Sequence, residues 1–565
     1  MAYKQFMDWT PDHPEYRNEG LTEARNVVPS FKSYKPTKGL APVSTNALSN
    51  RCQGFASFKS SAGNITSFAG DSTKLYRYLA NTFSDVSGGT TFSTPADNDW
   101  QFTQFGNFVL ASNGSNTPQV WQLDASTSWS DLGGSPPTYW HTAVVRNFVV
   151  SGWQPTNRNK LHWSAIGNHA SWTIGVDQSD EETLFDTSEI TGIVGGEFGI
   201  ILCVNKIFQL NFVGGSSIFQ IRAIEQERGA IAHGSIQTVG SETFFLSQDG
   251  FCKTNGESTT LIGENKIDRW FDESLDQSNI LRITSGHDPL NKLIFWSYPT
   301  TNSSGGNPDR ILCYNYSADR WSYIDVATQN VSSAFTTGTT LEALDNISTD
   351  IETFTDSFDS RIWQGGTLFF SAFDSSNKFG TFSGTNLEAT ISIGEQEYAD
   401  GKRTFMTSIN PVIDVQPKVA SGIISITSTT INGTGTKFLT ELTVGDVIRV
   451  NDVSSQFNNA KFIIATIVND TLLSIVVAPD QNILNVTFLG YTPSQINLVS
   501  RERAGGTTKE SGFTTCNDNG VASFRQSGKY HKIEVKVPSN ATWSDAMGVE
   551  AVSYTHLRAH ETIQD

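Results

Sequence analysis

One repeating unit dominates the first two-thirds of this chain: an apolar run, a turn, a second apolar run with an aromatic, another turn, then an aromatic beside Ser, Asp or Thr. It runs Phe68-Ala69, Lys74-Leu75-Tyr76-Arg77-Tyr78, Phe83-Ser84-Asp85-Val86. It returns as Phe108-Val109-Leu110-Ala111, Gln119-Val120-Trp121-Gln122-Leu123, Trp129-Ser130-Asp131-Leu132. A third copy is Phe148-Val149-Val150-Ser151, Lys160-Leu161-His162-Trp163-Ser164, Ala170-Ser171-Trp172-Thr173-Ile174. Another is Lys292-Leu293-Ile294-Phe295-Trp296, Ile311-Leu312-Cys313-Tyr314-Asn315, Arg320-Trp321-Ser322-Tyr323-Ile324. Short strands recurring every roughly 40–50 residues are how propeller blades look in sequence. A single blade cannot bury both faces, so neighbours must stack around a common axis. The pattern predicts an all-β fold, a β-propeller of about six blades, with Trp121, Trp163 and Trp296 on blade strands.

Composition agrees. Only 17% of residues are charged, against 36 Phe, 13 Trp and 14 Tyr. Such side chains fill a pleated, half-buried surface. Helical spacing is confined to 265–275, where Ile267, Trp270, Phe271 and Leu275 share a face. The formal charge of −18 argues against a surface that holds nucleic acid, which needs clustered Lys and Arg. The densest basic stretch, Lys529-Tyr530-His531-Lys532, is too short to be an arm. The five cysteines are scattered without CxxC; Cys203 and Cys313 fall in apolar runs and read as core thiols. No secretory leader and no membrane span is expected from the apolar runs.

The predicted organisation has five parts. Residues 1–50 are proline-dotted and polar, an extended arm that orders against something else. Residues 51–415 form the propeller-like body. Residues 416–490 differ: Gly422-Ile423-Ile424-Ser425-Ile426 and Val444-Gly445-Asp446-Val447-Ile448-Arg449-Val450 alternate strictly between glycine turns. This predicts an inserted small β-barrel. Residues 491–551 return to the body. Residues 552–565 contain Val552-Ser553-Tyr554-Thr555-His556-Leu557-Arg558-Ala559-His560-Glu561-Thr562, which matches an in-frame translation of a common sequencing adapter. That segment is expected to be an assembly artefact that packs on nothing.

No HExxH, GxSxG, GxxxxGK[ST] or EF-hand loop is present. Of His13, His141, His162, His169, His233, His287 and His531, no two have metal-ligand spacing on a shared element. Asp180-Glu181-Glu182 reads as a solvated loop. Ser247-Gln248-Asp249-Gly250-Phe251 and Asp131-Leu132-Gly133 hold fragments of a sialidase-type Asp-box and read as turns in which Asp bonds its own backbone. Hence no catalytic, cofactor-binding or metal residue is assigned, and no cofactor is expected. A glycan hydrolase or lyase would need a carboxylate pair in an axial pocket. A receptor- or glycan-binding adhesin would show exposed aromatics on the inserted barrel.

Several stretches, in order, resemble the propeller-based tail hub or nozzle proteins of short-tailed bacteriophages. Asp8-Trp9-Thr10-Pro11-Asp12, Ala24-Arg25-Asn26-Val27-Val28-Pro29, Tyr34-Lys35-Pro36 and Gly39-Leu40 look like that family's opening arm. Phe68-Ala69-Gly70, Lys74-Leu75-Tyr76 and Asp85-Val86-Ser87 look like its first blade. Phe244-Phe245-Leu246-Ser247-Gln248-Asp249-Gly250-Phe251, Ile262-Gly263 and Ile267-Asp268-Arg269-Trp270-Phe271 look like its middle blade. Gly401-Lys402-Arg403-Thr404-Phe405, Pro411, Gly528-Lys529-Tyr530-His531-Lys532 and Trp543 look like its end. The inserted barrel departs from the family. The resemblance implies a virion structural protein, not an enzyme, assembled in the host bacterial cytoplasm into the tail. Its partners would be identical copies in a ring, a hexamer, together with the head-to-tail adaptor or portal complex and the tail needle or fibres. It would retain packaged DNA and form the conduit for genome ejection, passing double-stranded DNA without sequence-specific binding.

Overall fold

In the computed structural model, which describes residues 2–215, 217–336, 366–415, 418–452, 454–517 and 519–555, the repeating unit is an antiparallel meander. The chain divides into two compact units. The first holds residues 40–319 with the described part of 325–383; the second holds 1–39, 320–324 and the described residues from 384 on.

The first unit is a seven-bladed propeller. Blade 1 is Phe55–Lys59, Ile65–Gly70, Leu75–Leu79 and Thr82–Asp85; blade 2 is Gln101–Phe105, Phe108–Ser112, Gln119–Gln122 and Ser130–Asp131. Blade 3 is His141–Val145, Phe148–Gln154, Asn157–Trp163 and Asp180–Thr183; blade 4 is Ile190–Val194, Gly199–Cys203, Ile207–Phe212 and Phe219–Glu225. Blade 5 is Gln237–Val239, Glu242–Ser247, Gly250–Thr254 and Thr259–Leu261; blade 6 has Thr284–Asp288, Leu293–Tyr298 and Arg310–Asn315 in this unit. Blade 7 is Asn330–Phe335, Leu368–Phe373 and Phe379–Thr381, and its fourth strand is Ala41–Pro42 from ahead of blade 1. Tight turns join the strands. Ala80 and Asn81 both have positive φ, 48° and 59°, between Leu79 and Thr82. That backbone suits the right-handed twist of the flanking strands.

Each blade buries its face against the next. Phe68 meets Trp121 edge-on at 5.0 Å between ring centroids. Leu110 and Tyr139 share a core with Val149 and Trp172. Phe148 meets Phe219 at 5.1 Å, and Ile200 and Leu202 pack with Phe245 and Cys252. Phe251 meets Trp296 at 4.7 Å, and Phe295 stacks on Phe370 at 3.9 Å. Phe373 meets Phe55 at 5.7 Å, which closes the ring. Each such pair adds ~0.5–1.5 kcal/mol beyond the area it buries. Trp121, Trp163 and Trp296 lie on blade strands and are buried. The helix is Asp268–Ser274, with Phe271 buried.

The described residues make seven blades, the six that the repeats predict and the possible seventh beyond them. The last blade was hard to see because its fourth strand is two residues long and comes from the opposite end of the body. The third blade's outer strand is Asp180–Thr183, so Trp172 precedes it in a loop and Asp180-Glu181-Glu182 is strand, not loop. The body ends at 383, not 415; of 51–415, residues 337–365 lie outside the described residues.

The second unit corrects the reading of both chain ends. One of its sheets runs Val27–Pro29, Tyr34–Pro36, Ala546–Thr555, Thr404–Ile413, Ala522–Gly528, with Ala2–Gln5 also paired to Ala546–Thr555. Another joins Leu21–Arg25, Ala389–Ile393, Tyr530–Val537 and Gln495–Arg501. Residues 491–551 therefore do not return to the propeller. The opening segment is not an arm awaiting a neighbour: its Phe6, Trp9, Leu21 and Tyr34 are fully buried in its own chain. Arg320, 3% exposed, fastens it. Its guanidinium donates to the carbonyls of Phe6, Met7 and Ser30 at 2.9, 2.6 and 2.7 Å and pairs with Asp8 at 3.0 Å.

Residues 552–555 also depart from expectation. They extend the last strand, with Val552 opposite Ser408 and Thr555 opposite Thr404. Antiparallel ladders are made by backbone groups, so an extended segment beside an open strand edge pairs whatever its side chains. Tyr554 is 63% exposed, and residues 556–565 lie outside the described residues.

The predicted inserted barrel is, among the described residues, an eight-stranded antiparallel sheet whose strands pair only with one another. It runs Lys418–Val419, Phe488–Tyr491, Val447–Val450, Lys461–Asn469, Leu472–Ile475, Thr430–Thr434, Ile423–Thr427, Ile483–Val486. Alternation sends Ile424, Ile426, Ile431, Ile448, Val450 and Ile464 into one core, capped by Phe438.

Candidate functional site

The inner strands of a propeller converge on its axis, where side chains from distant blades meet. Here they leave a cavity of about 220 Å³ lined from five blades. Its polar wall includes Asp99, His233, Gln237, Thr284 and Asn330.

Asp99 precedes the inner strand of blade 2, and His233 opens the turn His233–Ser235 before blade 5. His233 Nε2 lies 3.2 Å from Asp99 Oδ2, with both side chains nearly buried. Gly234 permits this turn, since a Cβ there would stand 1.8 Å from the Ile283 carbonyl oxygen. Trp140 donates through Nε1 to the Asp99 carbonyl at 2.9 Å. Its ring lies 4.7 Å from that of His141 and 4.4 Å from that of His233. Burial, and then the neighbouring His233, hold His141 well below the usual imidazole pKa, so it is neutral.

The arrangement can hold small polar molecules or water. At ~30 Å³ per water the cavity takes about seven. A duplex does not fit, since a B-DNA major groove alone is about 12 Å wide. Asp99 is the one carboxylate among the lining residues, whereas glycoside hydrolysis uses two. Among the described residues, no group of three or more His, Cys, Asp or Glu is placed to hold a metal ion.

The sequence reading passed over this cluster. His141, His233 and Asp99 sit on different blades, and only ring closure joins them. The one available signal was an aromatic directly before an inner strand, in Asp99-Trp100 and again in Trp140-His141. The residues that were weighed go elsewhere. His162 contacts the Trp172 carbonyl at 3.1 Å, while the His169 ring packs on Phe108 at 4.1 Å. Asp249 accepts from Arg228 Nε at 2.8 Å, and Asp131 from Gln119 at 2.7 Å, so neither acts through its own backbone. Cys203 and Cys313, expected as core thiols, are buried, as are the other three cysteines.

A second, larger hollow of about 470 Å³ lies between the outer strands of blades 3 and 4. Trp163, Phe208 and Phe219 floor it, Asp180 and Glu182 stand at its side, and Phe185 is 78% exposed on its rim.

No protein-family model and no curated protein matches this chain. Solved structures similar to it include the crystal structure of the computationally designed Ika8 protein, at 13% identity and a TM-score of 0.32, covering 60% of this chain and 99% of that one. Another is a chain of the crystal structure of a mitotic checkpoint complex, at 11% identity and a TM-score of 0.33, covering 63% and 98%. Likeness of that degree carries no functional argument, and the propeller assignment stands on the strand ladders described above.

Proposed function

We propose that this protein is a structural subunit of a short bacteriophage tail, of the hub or nozzle kind, forming a ring that retains packaged DNA and conducts it on ejection. The order of the family-like stretches, from Asp8-Trp9 through Phe244-Phe245 to Gly528-Lys529-Tyr530, carries the proposal. The molecule offers what such a role demands. A ring of blades closed by a strand from its own beginning resists shear, because opening it breaks a ladder and two aromatic faces together. A formal charge of −18 lets DNA pass without adhering. The axial cavity is too small for DNA, so the conduit must be the space enclosed by several copies. Its partners would be identical copies, the head-to-tail adaptor or portal, and the tail needle or fibres; its place would be the virion tail.

Electron microscopy of the purified chain mixed with a head-to-tail adaptor of a short-tailed phage tests this. Rings seated on the adaptor are expected. A chain that never joins the adaptor, or that binds duplex DNA below micromolar at physiological salt, overturns the proposal.

The exposed large apolar residues described on the inserted sheet are aliphatic, not the aromatics expected there of a glycan-binding tail adhesin, so that second reading rests instead on the hollow between blades 3 and 4. Aromatic faces beside carboxylates suit sugar rings and their hydroxyls. Binding of host surface glycan that Phe185→Ala abolishes would favour it over the nozzle.

A further inference from the structure

Two apolar faces of this chain stand in solvent, and they differ in chemistry. On the inserted sheet, Val444, Ile463, Val468, Val476 and Val477 are each at least 50% exposed. Three of them adjoin: the Val476 N–H donates to the Ile463 carbonyl at 2.9 Å, and Gly445, next to Val444, donates to that of Ile464 at 3.0 Å. Strand alternation makes the face. Ile464 and Ile475 turn into the core, so Ile463 and Val476 turn out, where polar residues are the norm. The module is also nearly uncharged. In 416–490, Lys418, Lys437, Arg449 and Lys461 stand against Glu441, Asp446, Asp452, Asp470 and Asp480, a net −1 of the chain's −18.

The other face surrounds the strand Ala2–Gln5. Tyr3, Met7, Phe31 and Met547 are 52%, 48%, 69% and 41% exposed. Tyr3 Oη donates to the Met547 carbonyl at 3.2 Å, as does the Phe6 N–H at 2.9 Å, and Gln5 Nε2 reaches the Lys32 carbonyl at 3.3 Å. Flexible thioethers and flat rings mould themselves to a ridge of branched aliphatics.

We propose that the aliphatic face of the inserted sheet docks on the aromatic and thioether face of a second copy of this chain. Contiguous exposed apolar surface marks interaction sites. The two patches are unlike, so the contact is heterologous: each subunit gives one patch and receives the other, and such contacts close into rings by rotation. Copies of a strongly acidic chain repel one another, and the almost neutral module is where they approach at least cost. The docking deepens the ring-forming reading above and rests on it.

The full-length protein in sedimentation velocity tests the docking. One variant carries Ile463→Asp and Val476→Asp, the other Met7→Asp and Phe31→Asp. All four positions are surface-exposed, and the melting curve of each variant checks that it folds. Ile463→Asn and Phe31→Ser serve if an aspartate variant does not. The wild type is expected to form rings and each variant to remain monomeric, with association weakened at least tenfold. A one-to-one mixture of the variants restores one good contact per pair and should stop at a dimer. Self-association of the Met7 and Phe31 variant would mean that inserted sheets meet each other, and overturns the proposal. A mixture that stays monomeric, or a wild type that never self-associates, overturns it equally. Variants that still form rings on the adaptor sink the docking alone; a wild type that ignores the adaptor sinks the nozzle reading.

Discussion

The propeller and the unit built from the chain ends are both all-β, yet they are made in opposite ways. In the propeller nearly every strand pairs with its neighbour in sequence. In the other unit, Ala2–Gln5 pairs with Ala546–Thr555, and Ala389–Ile393 lies between Leu21–Arg25 and Tyr530–Val537. Local pairing repeats and leaves a periodic trace. Distant pairing leaves only strands, and nothing in the sequence says which belongs with which. Their cores differ too: aromatic faces meet in sequence around the ring, whereas the other unit buries mostly aliphatic residues such as Ile409, Leu498, Ile533 and Val535 together with the polar Arg320 and His531.

The sharpest way to break this contrast is Trp296→Ala. Trp296 is fully buried, meets Phe251 and donates to the Ser235 carbonyl at 2.8 Å. A loss of about 3–5 kcal/mol is expected. Denaturant melts followed by fluorescence should show the propeller failing as a whole; a separate step for blades 5 and 6 would mean the ring is not cooperative. Arg320→Ala comes next, at about 3 kcal/mol, since it leaves several buried carbonyls without their donor. Limited proteolysis should then cut within residues 1–39 while the propeller's melt is unmoved.

The third effect depends on pH. His531 is buried between the sheets of the second unit, with Nδ1 2.7 Å from Ser500 Oγ and Nε2 2.8 Å from Thr404 Oγ1, one nitrogen donating and the other accepting. Burial pushes it down to about 4. It is neutral when folded and protonates more readily when unfolded. Its contribution is therefore complete above pH ~6.5, the ordinary histidine value, and is lost as pH falls towards about 4. The loss should reach about 3 kcal/mol, and His531→Gln should remove that slope from a pH series of melts. The smallest effect is expected from excising 418–491 and bridging the ends with a Gly-Ser linker. Because that sheet pairs only with itself, the propeller's melting temperature should hold; a collapse of the propeller would show that the module is integral to it.

These differences also explain what could be read in advance. The blade strands were legible because Phe68, Phe108 and Phe148 recur at blade spacing on equivalent strands, and the inserted sheet because Ile424, Ile426, Ile448 and Val450 alternate within one stretch. The closing strand Ala41–Pro42 was not: two residues carry no period. The Asp99 and His233 contact was not, because it spans three blades and exists only once the ring is complete. The opening segment misled because its anchors are few and what meets them, Arg320 on the Phe6 carbonyl and Tyr323 on the Trp9 ring, lies far along the chain.

The seam at Ala41–Pro42 also sets a timetable. Its partner, Phe379–Thr381, is the last strand of the propeller to be made. Domains begin to fold as they leave the ribosome, but this one must keep its first strand unclaimed through six blades of synthesis. During that interval the inner face of blade 1, with Phe55 and Tyr76, has no seventh blade to cover it. A nascent chain stalled before residue 379 is an open crescent with two greasy ends, each the natural mate of the other, and a crowded translation site offers many such mates from neighbouring chains. Ring closure is therefore a race between the chain's own far end and its siblings, decided by how fast residues 330–381, which carry the seventh blade, arrive.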